Sequence, residues 1–230
     1  MKYNFACVCY GTKYPVEYVQ KLYNMAKRNI TKPFDFFVFT DHVKMAKMVS
    51  EGIAVVKFPM YDLEGWWNKM QLFHPDVSKY LIGTTLYMDL DVVITENIDC
   101  FYDYQPELEF VGMNDFNPLT KLWNSSVMRF QQSKVSQQVW KRFMENRKEW
   151  LRRFPGDQNL ISHLLKDGRA TVSSFPDSWT QSYKWYDRKG NRYSRQDMTF
   201  EHNGESLVTV FHGQPNPHES DKEWIKSAWK

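Results

Sequence analysis

Short apolar runs alternate with helical patterns through the first two thirds of the chain, and this alternation constrains the fold more than any other feature. Apolar runs of strand length occupy residues 4–10, 34–39, 53–58 and 85–88. Between them, helical spacing covers residues 16–29, a shorter segment at 43–51, and a helix that begins at 67–72 and stops near Pro75. Strands separated by helices indicate βαβ units, so we predict an α/β fold with a mostly parallel sheet flanked by helices.

The last third is less regular but keeps both kinds of element. We predict strands at residues 109–113, 126–130 and 207–212. A helix of about six turns is predicted over residues 132–153, and another over 157–166. In an open α/β sheet the ligand crevice lies at the carboxyl ends of the parallel strands. Functional side chains are therefore expected directly after strands.

Composition narrows the class of protein. Apolar residues make up 42% and charged residues 25% of the 230-residue chain, which are globular values that exclude extensive disorder. Mean hydropathy is −0.61 and no apolar run is long enough for a membrane span. The apolar stretch in the first residues is too short and too interrupted for a signal peptide. The three cysteines are too few and too scattered for a disulfide framework or a zinc site. We therefore expect a cytoplasmic protein.

Charge and aromatic content bear on the ligand. A net charge of +3 is too small to argue by itself for a nucleic-acid partner. Aromatic residues reach 17%, which suits either a large core or a pocket that stacks on rings.

The strongest local signal is a pair of aspartates between two apolar runs, in the sequence YMDLDVVI. Asp89 and Asp91 are two residues apart, so on extended backbone both side chains share a face and can reach one ion. Mg²⁺ and Mn²⁺ prefer such oxygen ligands, often completed by phosphate oxygens. On spacing alone, two solvated aspartates at a strand end remain an equal interpretation.

A histidine after another strand offers a third ligand. His212 closes the apolar run LVTVF and precedes Gly213, whose missing side chain would let backbone approach a ligand closely. A neutral imidazole is a good ligand for Mn²⁺ and a poorer one for Mg²⁺. A histidine satisfied at a strand edge is the alternative.

Five segments in a fixed order carry a family resemblance. They are WWNKMQLF at residues 66–73, LYMDLDVVITENIDCFYD at 86–103, WNSSVMRF at 123–130, GDQNLISHLL at 156–165 and VFHG at 210–213. Together they resemble the GT-A-type glycosyltransferases, nearest in pattern to glycosyltransferase family 8, the glycogenin-like enzymes. The resemblance implies a single Rossmann-like GT-A domain over residues 1–230. Its nucleotide-binding half, 1–113, contains the Asp-x-Asp motif, and its donor-sugar and acceptor half is 114–230.

The resemblance assigns roles to individual residues. Asp89, Asp91 and His212 match the ligands of a divalent cation, usually Mn²⁺ but also Mg²⁺, that grips the diphosphate of a UDP-sugar. The remaining matches are Tyr10, Gly11 and Thr12 around the uridine, Asp41 near the base, Lys69 near the donor sugar and phosphates, Asn124 and Ser125 along the donor sugar, and Asp157 and Gln158 at the reacting centre. An ordinary solvated lysine at Lys69 and a helix N-cap at Asp157 are the alternatives.

Two departures from the family pattern stand out. Ser126 occupies the place of the family's glycine after Asn-Ser. The C-terminal motif lacks the family's lysine, and Gln214, Asn216 and His218 occupy that stretch. Stabilisation of the leaving diphosphate would then rest on the metal, on Lys69 or on His218.

The resulting hypothesis is a metal-dependent glycosyltransferase that uses a nucleotide sugar and, by resemblance, retains anomeric configuration. The alternative is a non-catalytic nucleotide-sugar or carbohydrate-binding protein on a degenerate GT-A scaffold. A nucleotidyl or phosphoryl transferase ranks lower, because no glycine-rich phosphate loop is present.

The acceptor stays open among a glycan, a modified DNA base and a protein. Basic and aromatic residues mix at 141–153 and at 184–195. A solvated face is the favoured interpretation of the first segment, and any acceptor module is expected within residues 173–203.

Overall fold

A computed structural model describes residues 2–42, 44–132, 135–166, 170–184 and 202–230. The strands are β1 (Tyr3–Cys9), β2 (Phe34–Thr40), β3 (Ile53–Lys57), β4 (Thr84–Met88), β5 (Val92–Ile94), β6 (Phe110–Asn114), β7 (Trp123–Gln131), β8 (Val172–Ser174), β9 (Thr180–Ser182) and β10 (Val208–Val210). The α-helices are α1 (Val16–Asn29), α2 (Pro75–Ser78), α3 (Asp99–Asp103), α4 (Val135–Glu145), α5 (Arg147–Arg153), α6 (Asp157–Leu165) and α7 (Glu223–Ala228). Short 3₁₀ helices lie at Met45–Lys47, Gly65–Phe73, Pro118–Thr120, Asp177–Trp179 and Pro217–Glu219.

The main sheet has seven strands in the order β3-β2-β1-β4-β7-β6-β8. Strands β1 to β4 pair in parallel, as do β6 and β8, whereas β7 runs antiparallel to both of its neighbours. The predicted α/β class with a mostly parallel sheet flanked by helices is therefore confirmed. A second, three-stranded sheet has the order β5-β10-β9.

The sheet is buried on both faces, which explains the continuous apolar runs that mark its parallel strands. On β1, Phe5 and Cys7 belong to the core beneath α1, where Leu22 is fully buried. The alternate residues Ala6 and Val8 belong to the core on the opposite face. That second core is completed by the 3₁₀ helix Gly65–Phe73 together with α4 and α6. The side-chain period of two on β1 thus fixes which helices cover each face.

Three of the predicted helices differ from those observed. The predicted six-turn helix at 132–153 is wrong, because Asn146 leaves helical geometry at φ −134° and separates α4 from α5. Across the break the indole N–H of Trp150 on α5 donates to the carbonyl of Arg142 on α4 at 2.9 Å, so packing between the two helices satisfies a backbone group near the end of α4. Of the segment predicted at 43–51, the described residues 44–51 contain only the 3₁₀ turn Met45–Lys47. The segment at 67–72 is 3₁₀ throughout and ends at Phe73, close to the predicted stop, and Pro75 begins α2.

No helix in the described ranges is both long enough and apolar enough to cross a bilayer. Most of the predicted basic and aromatic segment at 184–195, and part of the predicted acceptor region at 173–203, lie outside the described residues. The division at residue 113 stays a prediction.

A fully buried arginine fixes the loop that follows α3. Arg129 on β7 is 0% exposed, and its guanidinium donates to the carbonyl oxygens of Gln105 at 2.9 Å and Leu108 at 3.2 Å. A third, longer bond of 3.4 Å reaches the carbonyl of Tyr102. The buried guanidinium has these carbonyl oxygens in place of water as its hydrogen-bond partners, so this side chain holds the loop against the sheet.

We predict that Arg129→Met destabilises the fold by about 3 kcal/mol, because the loop loses its hydrogen bonds to a charged donor while the volume is kept. Urea unfolding followed by circular dichroism measures the change. Arg152→Ala, at an exposed arginine of α5, is the matched control and should shift the free energy of unfolding by less than about 0.5 kcal/mol. Equal effects of the two variants would contradict the role given to Arg129.

Candidate active site

A cleft of about 300 Å³ opens where β1 and β4 end, at the carboxyl edge of the parallel strands. Its position is the one expected of a ligand crevice in an open α/β sheet. The side chains and backbone that line it belong to Val8, Tyr10, Lys13, Tyr14, Trp66, Lys69, Tyr87, Asp89, Leu90, Asp91, Asn124, Ser125, Ser126, Asp157, Gln158, His212 and Gly213.

Lys69 lies at the floor of this cleft, held by three partners. Its ammonium is 2.9 Å from Oδ1 of Asp89, 3.3 Å from Oδ2 of Asp157 and 2.9 Å from the hydroxyl of Ser125. The residue is only 6% exposed, and burial alone would lower the pKa of its ammonium. The carboxylates of Asp157 and Asp89 outweigh that effect and raise the pKa above its ordinary value. Lys69 is therefore charged at every relevant pH, and the solvated-lysine alternative is excluded by its burial.

Asp89 follows β4 directly and is fixed from two sides. Its Oδ1 accepts a hydrogen bond of 2.6 Å from the hydroxyl of Tyr87, in addition to the contact with Lys69. Its own backbone N–H donates to the carbonyl of Ser126 at 3.0 Å, which ties the residue to β7. Tyr87 and Asp89 are two residues apart, so the pleat of the strand places both on one face.

Asp91 is 5% exposed, and within the described ranges no lysine forms an ion pair with it as Lys69 does with Asp89. Its Oδ2 accepts hydrogen bonds from the hydroxyl of Tyr14 at 2.9 Å and from the backbone N–H of Gly213 at 3.2 Å. Burial, and then the neighbouring charge of Asp89, raise the pKa of Asp91 above its ordinary value. The pair of aspartates therefore carries unfavourable negative charge that a cation in the cleft would relieve.

His212 faces the same cleft from the segment after β10. Its Nε2 is 2.6 Å from the hydroxyl of Ser182, and its ring stacks on Phe116 with centroids 5.5 Å apart. Burial and the nearby ammonium of Lys184 lower the pKa of His212 to about 4, so the imidazole is neutral at pH 7. A neutral imidazole is the form that can ligate a metal.

The residues present fit a hard divalent cation in chemistry, although the three candidate ligands do not converge. Two carboxylates and a neutral imidazole form a donor set that suits Mn²⁺. Within the described ranges, no three His, Cys, Asp or Glu side chains come close enough together to hold a metal ion. The ligand set Asp89, Asp91 and His212 accordingly stays a prediction.

The residues predicted along the donor sugar and at the reacting centre lie side by side. The side-chain carbonyl of Asn124 accepts from the backbone N–H of Ser126 at 2.9 Å, at the start of β7, and Ser125 between them accepts a hydrogen bond from Lys69. Gly156 is the N-cap of α6, so Asp157 is the first helical residue and not the cap. Gln158 donates from Nε2 to a carboxylate oxygen of Asp115 at 2.6 Å.

The residues predicted around the uridine are less closely grouped. Tyr10 lines the cleft, and burial together with the charge of Asp89 raises the pKa of its hydroxyl to about 12. The backbone N–H of Gly11 donates to both carboxylate oxygens of Asp41, at 3.0 and 3.1 Å. Gly11, Thr12 and Asp41 are exposed and lie outside the set that lines the cleft. Gly11 has φ +55°, which a glycine adopts without strain.

The sequence analysis did not predict four polar or aromatic residues that line the cleft, nor the apolar Val8 and Leu90. Tyr87 could have been predicted from the sequence, because strand alternation puts its side chain on the same face as that of Asp89. Tyr14, Lys13 and Trp66 carry no local signal: each reaches the cleft from a loop or a 3₁₀ helix whose path depends on tertiary packing.

No protein-family model matches the chain, and no curated protein matches it. Solved structures do. One is the galactosyltransferase LgtC in complex with donor and acceptor sugar analogues, at 13% identity and TM-score 0.67, covering 98% of this chain and 91% of LgtC.

Two other solved structures are also similar. The apo form of the glycosyltransferase GlyE of Streptococcus pneumoniae TIGR4 matches at 14% identity and TM-score 0.70, covering 100% of this chain and 59% of GlyE. The bifunctional glycosyltransferase WbbM matches at 11% identity and TM-score 0.65, covering 94% of this chain and 46% of WbbM. At these identities the likeness shows a shared fold, which confirms the predicted glycosyltransferase-like architecture; family 8 itself stays a prediction.

We predict that the metal-free protein loses stability as pH falls from about 6.5 to about 4, in part because of His212. The unfolded histidine binds its proton near pH 6.5 and the folded one only near pH 4, so the unfolded state binds more protons between these values. The free energy of unfolding, measured in urea at a series of pH values with chelator, should fall less steeply for His212→Gln. The exposed His42→Gln is the control and should keep the wild-type slope; identical slopes for all three proteins would contradict the assignment.

We also predict that Asp91→Asn stabilises the metal-free protein by about 1 kcal/mol at pH 7, because the amide oxygen keeps both hydrogen bonds while the buried charge is removed. Thermal and urea unfolding in chelator measure the change. Asp99→Asn is the matched control, and it should lower the free energy of unfolding rather than raise it. The carboxylate of Asp99 accepts hydrogen bonds from the backbone N–H and hydroxyl of Thr31, which lower its pKa. A loss of stability in Asp91→Asn would show that Asp91 is not under electrostatic strain.

Proposed function

We propose that this chain is a metal-dependent glycosyltransferase that moves a sugar from a UDP-sugar to an acceptor with retention of configuration. The observation that carries the proposal is the group of Asp89, Asp91, Lys69 and Asp157 in one cleft at the end of β4. It lies in a fold whose similar solved structures are glycosyltransferases.

The diphosphate of the donor is held at the aspartate pair in this proposal. Asp89, Asp91 and His212 would hold Mn²⁺ or Mg²⁺, and the ion would supply positive charge where the diphosphate becomes a leaving group. Tyr14 and the backbone N–H of Gly213 orient the carboxylate of Asp91 for that task. The nucleoside lies over Tyr10, Gly11 and Thr12, with Asp41 fixing the loop through its bonds to Gly11.

The donor sugar enters the buried, polar end of the cleft. Asn124, Ser125, Asp157 and Lys69 are all 9% exposed or less, so a sugar there is shielded from water. Their amide, hydroxyl and charged groups are suited to bind sugar hydroxyls. Exclusion of water favours transfer to an acceptor over hydrolysis.

Gln158 presents its amide carbonyl to the reacting centre. Because its Nε2 is engaged by Asp115 at 2.6 Å, the oxygen is the end of the amide left for the substrate. A carbonyl oxygen there stabilises positive charge that develops on the anomeric carbon. Asp157 is paired with Lys69, which favours a front-face route in which a diphosphate oxygen takes the proton of the acceptor hydroxyl.

Cations for the leaving group come from more than one element. Lys69 lies beside Asp89, and Lys184 donates from Nζ to the backbone carbonyl of His212 at 3.1 Å. His218, which occupies the place of the family's lysine, bonds through Nδ1 to the hydroxyl of Tyr18 and does not line the cleft. Lys69 and Lys13, which both line the cleft, are therefore better placed than Lys184 and His218 to meet the departing charge.

A non-catalytic nucleotide-sugar or carbohydrate-binding protein is the second candidate. The absence of the family's lysine from the C-terminal motif favours it. Turnover separates the two, since a binding protein releases no UDP. A nucleotidyl transferase would instead release pyrophosphate.

We predict Mn²⁺-dependent release of UDP from one member of a panel of UDP-sugars, with chelator abolishing it. Asp91→Asn should reduce the rate about 100-fold, because removing one metal-binding charge weakens stabilisation of the departing diphosphate. A coupled assay for free UDP measures both effects.

Asp76→Asn, at an aspartate whose side chain is 70% exposed and outside the cleft, is the control and should keep the wild-type rate. A wild-type rate in Asp91→Asn would contradict the site. Absence of UDP release together with absence of Mn²⁺-dependent UDP binding by calorimetry would contradict the proposed donor.

A further inference from the structure

An exposed tryptophan at the mouth of the cleft has no part in the function proposed so far. Trp66 is 53% exposed, whereas Lys69 and Asp157, deeper in the same cleft, are 6% and 5% exposed. A large aromatic ring left half in water loses the free energy that burial would provide. At the edge of a polar cleft, its exposed face is available for a ligand ring to stack on.

The indole is held in place by the backbone beneath it. A Cβ built at Gly156 would lie 3.2 Å from Nε1 and 3.4 Å from Cδ1 of Trp66, closer than most real contacts. The absence of a side chain at Gly156 therefore lets the indole rest against the chain immediately before Asp157. The ring is thereby placed beside the residues proposed to face the reacting sugar.

The segment that carries Trp66 is fixed from both sides. Arg147 of α5 donates to the carboxylate of Asp62 at 2.7 Å and to its backbone carbonyl at 3.0 Å. The side-chain amide of Asn68 donates to the carbonyls of Leu63 and Gly65, both at 3.0 Å. These contacts order the approach to the ring before any ligand arrives, which lowers the entropic cost of binding.

The 3₁₀ geometry of Gly65–Phe73 aligns the ring with the floor of the cleft. Residues three apart eclipse one another in a 3₁₀ helix, so Trp66 and Lys69 lie on one face. Lys69 lies at the buried end of this face and Trp66 at its solvent-exposed end. A molecule that covers the indole therefore lies between the donor sugar and the solvent.

We propose that Trp66 is the acceptor platform, on which the apolar face of a pyranose ring stacks, and that the acceptor is a glycan. The inference rests on the proposed function and names its second substrate. In the transfer step, an acceptor hydroxyl oxygen bonds to the anomeric carbon of the donor sugar. The bond from that carbon to the phosphate oxygen breaks, its electron pair stays with the diphosphate, and the hydroxyl proton moves to a diphosphate oxygen.

The charges around Trp66 favour a sugar ring over a nucleic-acid acceptor. The residues just before it carry two carboxylates, Asp62 and Glu64, and the guanidinium of Arg147 is paired with the first. Recognition of a strand through stacked bases needs basic groups along its phosphates. A neutral pyranose is not repelled by these carboxylates, and one face of its ring offers C–H groups to an aromatic surface.

The test is made on the wild-type protein with simple pyranosides as probes. Labelled with ¹⁵N, the nine tryptophans give indole N–H signals, and the signal missing from Trp66→Phe identifies that of Trp66. Methyl β-glucopyranoside and methyl β-galactopyranoside are titrated to about 0.1 M in the presence of UDP and Mn²⁺, with acyclic sorbitol and with cytidine as comparisons. A saturable shift of the Trp66 signal with at least one pyranoside, and none with sorbitol, is expected.

Two results would overturn the proposal: no shift with either pyranoside, or a shift with sorbitol as large as that with the sugars. A shift with cytidine alone would overturn it in favour of a nucleobase acceptor. Binding of UDP in the presence of Mn²⁺ and without any sugar is measured by calorimetry, and it tests the proposed function separately. Donor binding without a pyranoside response would leave the proposed function standing and remove only the acceptor platform.

Variants add a second measurement. Transfer to the pyranoside that shifts Trp66 should show a KM raised at least about 10-fold in Trp66→Ala and changed less than about 3-fold in Trp66→Phe, because an aromatic face remains. Gly156→Ala should raise KM as well, since the new methyl group displaces the indole. Tyr80→Ala, at a tyrosine 38% exposed outside the cleft, should keep the wild-type KM. Equal KM values for Trp66→Ala and wild type would contradict the platform.

Discussion

The ammonium of Lys69, buried between two carboxylates, is the interaction on which the rest of the site depends. It joins the 3₁₀ helix Gly65–Phe73 to the end of β4 through Asp89, to β7 through Ser125 and to the start of α6 through Asp157. A buried charge is tolerated only when it is paired, so the position of each of these elements is coupled to the others. Removing Lys69 would leave two carboxylates without a counter-charge at the point where the elements meet.

The three carboxylates of the cleft, those of Asp89, Asp91 and Asp157, outnumber the ammonium groups of Lys69 and Lys13 that line it. Asp89 and Asp157 share Lys69, whereas the hydrogen-bond donors to Asp91 among the described residues are the neutral groups of Tyr14 and Gly213, and the pKa of Asp91 is elevated. A protein that uses this site for stability alone would gain by replacing Asp91 with a neutral residue. The retained carboxylate is better explained by a cation that arrives with a phosphate ligand, which is the basis of the proposed metal-dependent transfer.

The sequence predicted those parts of the structure whose causes are local. The predicted helix over residues 16–29 has the same bounds as α1, because its apolar face repeats strictly and prolines and polar residues flank it. The position of Asp89 and Asp91 after a buried strand followed from the apolar run before them. The break at Asn146 and the 3₁₀ form of Gly65–Phe73 were missed, since both depend on packing against other elements and not on periodicity.

The same distinction holds within the site. Tyr14 reaches Asp91 from a loop 77 residues earlier in the chain, and Trp66 rests on Gly156 from a distant segment. Neither contact leaves a pattern in the local sequence. Strands as short as β8 and β9 are held by their neighbours and give too few residues for a period-two signal.

The most direct test of the central claim is to locate Mn²⁺ in crystals grown with UDP and Mn²⁺, from its anomalous scattering. The account predicts a peak within about 2.5 Å of carboxylate oxygens of Asp89 and Asp91, with the diphosphate completing its ligands. A peak elsewhere on the molecule, or UDP bound in the cleft with Asp91 making no contact to any metal, would contradict it.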